Sequence, residues 1–155
     1  MSAQLLTDIE LQAWKTFLVT HASLSRFLDA DLQRAHQLTL SDYEVLLQLG
    51  LHEDRRLRMS DLADRVLLTR SGMTRLVGGL ERAGYVKRVN CAGDARVSYA
   101  ELTEDGMQKF EEARTTHVEG VRRLFSSRFS PEELATLGEL LKRLPQSPGS
   151  CQCGE

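Results

Sequence analysis

Residues 69–75, Thr-Arg-Ser-Gly-Met-Thr-Arg, place hydroxyls and guanidinium groups at spacings that a helix would gather. At about 100° per residue, Ser71, Thr74, Arg75, Gly78 and Arg82 fall within about 60° of one direction. Met73, Leu76, Val77, Leu80 and Ala83 fall on the opposite side, which would be the buried one. An arginine on an open helix face can grip a guanine edge through two hydrogen bonds, and serine or threonine can reach phosphates or base edges. Thr69 is placed to cap the helix, so its first N–H groups and the positive end of its dipole would also face phosphate. The competing reading is a surface helix whose arginines are simply solvated.

A second basic element follows at once. "YVKRV" and "VSYAELT" alternate apolar and polar residues around the turn-forming "NCAGDA", which predicts a hairpin carrying Lys87, Arg88 and Arg96. A basic hairpin directly after such a helix describes a winged helix-turn-helix, whose wing arginines can lie along the phosphate backbone or enter the minor groove. The charge distribution agrees. Net charge is −2, yet from Arg55 to Arg96 ten basic residues stand against four acidic ones, so a +6 centre is flanked by ends that together carry −8. A polyanion partner would meet the centre.

Other elements must hold these two in place. Thr7 with Glu10 predicts a capped first helix to about residue 34, and Ser41 with Glu44 predicts a second, stopping near Gly50. "HEDRRLRM" reads as a charged turn with a residue or two of strand, and Ser60 as the cap of the short helix "SDLADRVL". Thr103 would start a long helix to about Ser127, and Ser130-Pro131-Glu132-Glu133 a last one with the leucine stripe Leu134, Leu137, Leu140, Leu141 and Leu144. The fold class is therefore mainly α with a small β-wing. Glycines at 72, 78 and 79 cost a helix about 1 kcal/mol each. Gly78 falls on the open face, where it would let the helix approach a groove floor. Gly72 and Gly79 fall at the border of the apolar face, where the preceding helix would come close.

With 155 residues, 41% of them hydrophobic, the chain suits one compact domain. It has no apolar run long enough for a bilayer, and its three cysteines do not form the framework of a secreted scaffold, so a soluble cytoplasmic protein with reduced thiols is expected. There is no glycine-rich phosphate loop, no Gly-x-Ser-x-Gly elbow and no pair of carboxylates in an apolar setting. His21, His36, His52 and His117 lack metal-ligand spacing. An enzyme, a cofactor and a metal are not expected. An enzymatic role would have to rest on Cys91 with a distant histidine.

In order and spacing, "LTLSDYEVLLQL", "RMSDLADRVLLTRSGMTRLVGGLERAGYVKR", "GDARVSYAELTEDG" and "FSPEELATLGELLKRL" resemble the MarR family of bacterial transcription regulators. The resemblance spans roughly residues 7 to 144. It implies a helical dimerisation region at 1–37 and 103–144, a winged helix-turn-helix DNA-binding lobe at 38–102 and a flexible tail at 145–155. It further implies a homodimer that binds a palindromic operator on double-stranded DNA, usually as a repressor. The terminal apolar stripes, Phe125 and Phe129 among them, exceed what one small lobe needs. Carried over residue by residue, the DNA contacts are Arg70, Ser71, Thr74 and Arg75 on the helix, with Asp94 and Arg96 in the wing, where Asp94 orients Arg96 or braces the turn. Arg88 joins them as a wing cation. Ala95 stands where many members carry a second wing arginine.

The family commonly responds to small aromatic or lipophilic effectors, for which Trp14, Phe17, His21 and Tyr43 are candidate pocket residues. Each could equally be ordinary core. Cys91, beside basic neighbours in the wing, is a candidate redox site whose oxidation would displace the wing. Cys151 and Cys153 are too close and isolated to form a metal site alone. The alternatives are thus a thiol-based redox regulator acting through Cys91 and a winged-helix protein-interaction module that does not bind DNA.

Overall fold

Five helices begin at a hydroxyl cap, each accepting a hydrogen bond from a backbone N–H three residues on: Thr7, Thr39, Thr69, Thr103 and Ser130. A cap of this kind stabilises a helix by about 1 kcal/mol. Here the caps divide the computed structural model, which describes residues 5–66 and 68–145, into α1 (Asp8–His36), α2 (Leu40–Gly50), β1 (Arg56–Arg58), α3 (Met59–Val66), α4 (Arg70–Arg82), β2 (Val86–Cys91), β3 (Asp94–Leu102), α5 (Glu104–Leu124) and α6 (Pro131–Leu141). A 3-10 turn at Ser126–Arg128 links the last two helices.

Three boundaries differ from the sequence reading. The second capping box is Thr39 with Asp42, not Ser41 with Glu44, and it is fixed from outside: the Asp29 carboxylate of α1 accepts the Leu40 N–H at 2.7 Å. Ser60 is not a cap, because α3 already begins at Met59; the Ser60 hydroxyl donates to Asp61. The long helix ends at Leu124, where Phe125 turns out of helical geometry and packs its ring 5.5 Å from that of Phe129. The expected tail falls almost wholly outside the described residues, and Cys151 and Cys153 with it.

The three strands form an antiparallel sheet in the order β1-β3-β2. Both strands of the hairpin run further than their alternation suggested, which leaves Ala92 and Gly93 as the turn and a register slip between Asn90 and Cys91. One continuous core joins α2, α3, α4 and the sheet to the first half of α5, through Leu46, Leu49, Leu62, Met73, Val77 and Phe110 among others. Burying each such side chain stabilises the fold by about 1.5–3 kcal/mol.

Close backbone approach decides two glycines outside α4. A Cβ on Gly50 would stand 2.8 Å from the Phe110 ring, and one on Gly106 would run into the Tyr85 carbonyl. The start of α5 is therefore seated directly on the turn between α4 and β2, where Thr103 also donates to the Gly84 carbonyl at 2.7 Å. Farther along, α5 is tied to α1 by Arg123 with Asp31 at 2.6 Å and by His36 with Thr116 at 2.8 Å.

Candidate nucleic-acid interface

Most of the apolar side of α4 is buried as its periodicity predicts: Met73, Val77 and Leu80 are in the core and Leu76 is half-buried, while Arg70, Ser71, Thr74, Arg75 and Arg82 are exposed; Ala83, expected on the buried side, is exposed where it caps the end of the helix. Thr69 accepts the Gly72 N–H, leaving the helix start open on the same side. The wing then folds back toward it. Arg58, Met59, Ser60, Arg70, Thr74, Arg96, Val97 and Ser98 surround one concavity of about 370 Å³. It unites the end of β1 and the first half of β3 with the starts of α3 and α4. Three guanidinium groups and three hydroxyls around one recess suit phosphate oxygens, which arginine binds through paired hydrogen bonds.

Local contacts shape this recess. The Asp94 carboxylate accepts the Arg96 N–H at 2.9 Å, bracing the wing turn. Arg58 donates to the Tyr99 hydroxyl, a bond that pushes its pKa above the ordinary arginine value, and the Arg56 guanidinium lies 4.5 Å from the centre of the same ring. Lys87 pairs with Glu101 across the sheet at 2.9 Å. Arg58, Ser60 and Ser98 were not expected at this interface from the sequence, which read Ser60 only as a helix cap. The signal for Arg58 lay in "RRLR"; for the two serines there was none, since only the fold brings them beside Arg70.

Arg88 behaves differently from the other expected contacts. Its guanidinium turns onto α4, donating from Nη2 to the Thr74 carbonyl at 3.0 Å and standing 3.6 Å from the Glu81 carboxylate. The α4 glycines also differ from expectation. A Cβ on Gly79 would meet only the end of Arg82, and one on Gly72 chiefly its own cap Thr69, so neither marks a close approach by α3. Gly78 lies beneath Arg88. Cys91 is a half-buried free thiol at the register slip.

Three of the four candidate pocket residues are brought together and the fourth, Tyr43, is not. Trp14, Phe17 and His21 form a stacked series along one side of α1. Tyr43 is buried elsewhere, with Phe110 and with His117 at 4.4 Å. Phe17 and His21 line an open groove of about 1040 Å³ between the first half of α1 and the Leu124–Leu141 region, with Leu137 and Leu141 opposite and Arg128 at its side. Elsewhere on α1 and α6, Trp14, Leu18, Phe27 and Leu140 are 45–55% exposed. No described helix is long and apolar enough to cross a membrane.

A three-helix unit with a two-stranded wing, flanked by long terminal helices, is a winged helix-turn-helix architecture. A MarR family model matches residues 36–97. The chain is 38% identical to AbsC, a MarR family transcriptional regulator from Streptomyces coelicolor, over 91% of this chain and 95% of that one, with a TM-score of 0.85. It is 32% identical to Sco3205, a MarR family regulator of the same organism solved in complex with DNA, over 92% and 89% of the two chains, with a TM-score of 0.86. Against PapX of Escherichia coli, an HTH-type transcriptional regulator, it is 33% identical over 87 residues, a match that spans about half of PapX (53%). The chain belongs to the MarR family of transcriptional regulators, which are not enzymes.

Proposed function

We propose that the protein is a homodimeric, sequence-specific regulator that binds a palindromic operator on double-stranded DNA, with α4 in the major groove and the Arg96 wing in the minor groove. The observation that carries this reading is the convergence of Arg58, Arg70, Thr74 and Arg96 on one recess, within the part of a net-acidic chain that holds its positive charge. Ser71 and Arg75, exposed on the same helix, extend the base-reading face. The terminal regions, 1–37 and 103–144, supply the subunit contact through the groove between α1 and α6. The lobe between them, 38–102, reads DNA. A twofold dimer presents its two recognition helices to half-sites about one helical turn apart.

Such a dimer acts by occupancy: where the operator overlaps a promoter, it represses. A small aromatic or lipophilic acid would relieve it by competing with the partner subunit for this apolar groove, where Phe17 and His21 offer ring surface and Arg128 a cation. The single tryptophan, Trp14, stacks on Phe17 and reports such binding directly by fluorescence. Selection from a random duplex pool at fixed moderate salt tests the main reading. The expected result is a palindrome with half-sites one turn apart. A dimer that enriches no sequence would refute it and favour an interaction module.

A further inference from the structure

We infer that Arg88 is a positioning residue: it clamps the wing to the recognition helix and so sets where the wing tip meets DNA, without itself contacting DNA. The inference rests on the DNA-binding reading above. Its basis is the way one side chain of β2 spans α4. The Arg88 backbone N–H donates to a Glu81 carboxylate oxygen at 3.3 Å, Nε stands 3.6 Å from the other oxygen, and Nη2 donates to the Thr74 carbonyl at 3.0 Å.

Between those two anchors lies Gly78, where an added Cβ would stand 3.5 Å from Nη2. Positions 74, 78 and 81 follow one another along a single side of a helix. The Thr74 carbonyl already serves the helix's own ladder, but a carbonyl oxygen has a second lone pair. Gly78 leaves the approach to it open. A single added carbon there would only touch the guanidinium, whereas a longer side chain would compete with it for that space.

The geometry suits direction more than stability. Glu81 and Arg88 are both partly exposed, and a pair of that kind contributes little to folding. Arginine's planar fork, however, holds two partners at a fixed angle, which a lysine cannot do. Arg88 lies two residues past the start of β2, at the root of the hairpin, so a small rotation there swings the Ala92-Gly93 tip and Arg96 through a larger arc. Arg96 can enter a minor groove at a defined offset from the bases under α4 only if that root is held. Glu81 has a matching role. A carboxylate near a polyanion weakens binding unless a cation is committed to it, and Arg88 is that cation.

The test compares wild type with the charge-conserving pair Glu81→Gln/Arg88→Met and with Arg88→Lys. Wild type first selects its operator from a random duplex pool; if it selects none, the DNA-binding reading itself fails. With the operator in hand, each variant is measured for thermal unfolding, for operator affinity against salt and for the sequence it selects. The double variant is expected to melt close to wild type and to keep the wild-type slope of affinity against salt. It should retain the base preferences under α4 but lose about tenfold in discrimination at the flanking positions that the wing reaches. Arg88→Lys, which keeps the charge, should lose the same flanking preference.

A slope shallower by about one unit in the double variant would overturn the inference, because it marks a lost phosphate contact. So would wild-type flanking preference in Arg88→Lys. If the double variant melts early, Arg88→Lys decides the question alone by that same readout.

Discussion

α4 and α6 are both short amphipathic helices, yet they end in opposite situations. α4 buries Met73, Val77 and Leu80 and exposes hydroxyls and arginines, whereas α6 buries none of its leucines, and Leu140 remains 46% exposed. The first half of α1 resembles α6, with Ile9, Trp14, Phe17 and Leu18 all open. A polar face left open needs no partner to be stable in water. An apolar face of this extent does. The contrast separates a region whose apolar side is covered within one chain from a region with an open apolar face, which the proposed dimer would cover.

The largest expected effect tests the open apolar face. Leu137→Glu puts a charge in the α1–α6 groove and should shift the protein from dimer to monomer in sedimentation, lowering operator affinity at least about a hundredfold as half of the bipartite contact is lost. A wild-type monomer would break the comparison outright. Next comes the covered region's open polar face. Arg96→Ala should weaken operator binding about tenfold to a hundredfold, while Arg122→Ala, exposed on α5, changes it less than about twofold in the same salt. Equal effects would sink the wing assignment.

A third pair separates steric need from mere presence of glycine. Gly106→Ala forces a Cβ into the Tyr85 carbonyl and should lower stability by about 1–3 kcal/mol in denaturant unfolding. Gly79→Ala meets only the end of Arg82 and should raise it by up to about 1 kcal/mol. The smallest effect is a pH dependence at the junction of the two regions. His117 of α5 packs on Tyr43 of α2, and burial lowers its pKa below the ordinary histidine value. The unfolded chain therefore takes up its proton first as pH falls, so this group's contribution to stability is present above the ordinary value of 6.5 and declines below it. His117→Phe should flatten that part of the stability profile; an unchanged profile would show that the histidine does not contribute.

How much of this was legible depends on the range of the cause. Thr7, Thr69, Thr103 and Ser130 were readable as caps because a cap acts over three residues. The α2 cap was misplaced because Thr39-x-x-Asp42 and Ser41-x-x-Glu44 are overlapping local patterns, and what favours the first is Asp29 of α1, which accepts the N–H of Leu40 eleven residues on. The α4 face was readable from periodicity, but the recess was not. Arg58 and Ser60 reach Arg70 only through the pairing of β1 with β3 and the turn between α3 and α4.

The sequence by itself determined the starts of α1, α4, α5 and α6, the polarity of the α4 face and the concentration of positive charge at 55–96, because propensity, periodicity and charge are local or additive. Tertiary structure alone decided which cations face outward. Arg70 and Arg96 share an open recess while Arg88, of the same type and in the same hairpin as Arg96, turns onto the Thr74 carbonyl and Glu81. It also decided that Tyr43 is core and Phe17 lines a groove. The physical reason is the same for both: a side chain's surroundings are set by which distant backbone comes to lie beside it, and no local pattern carries that.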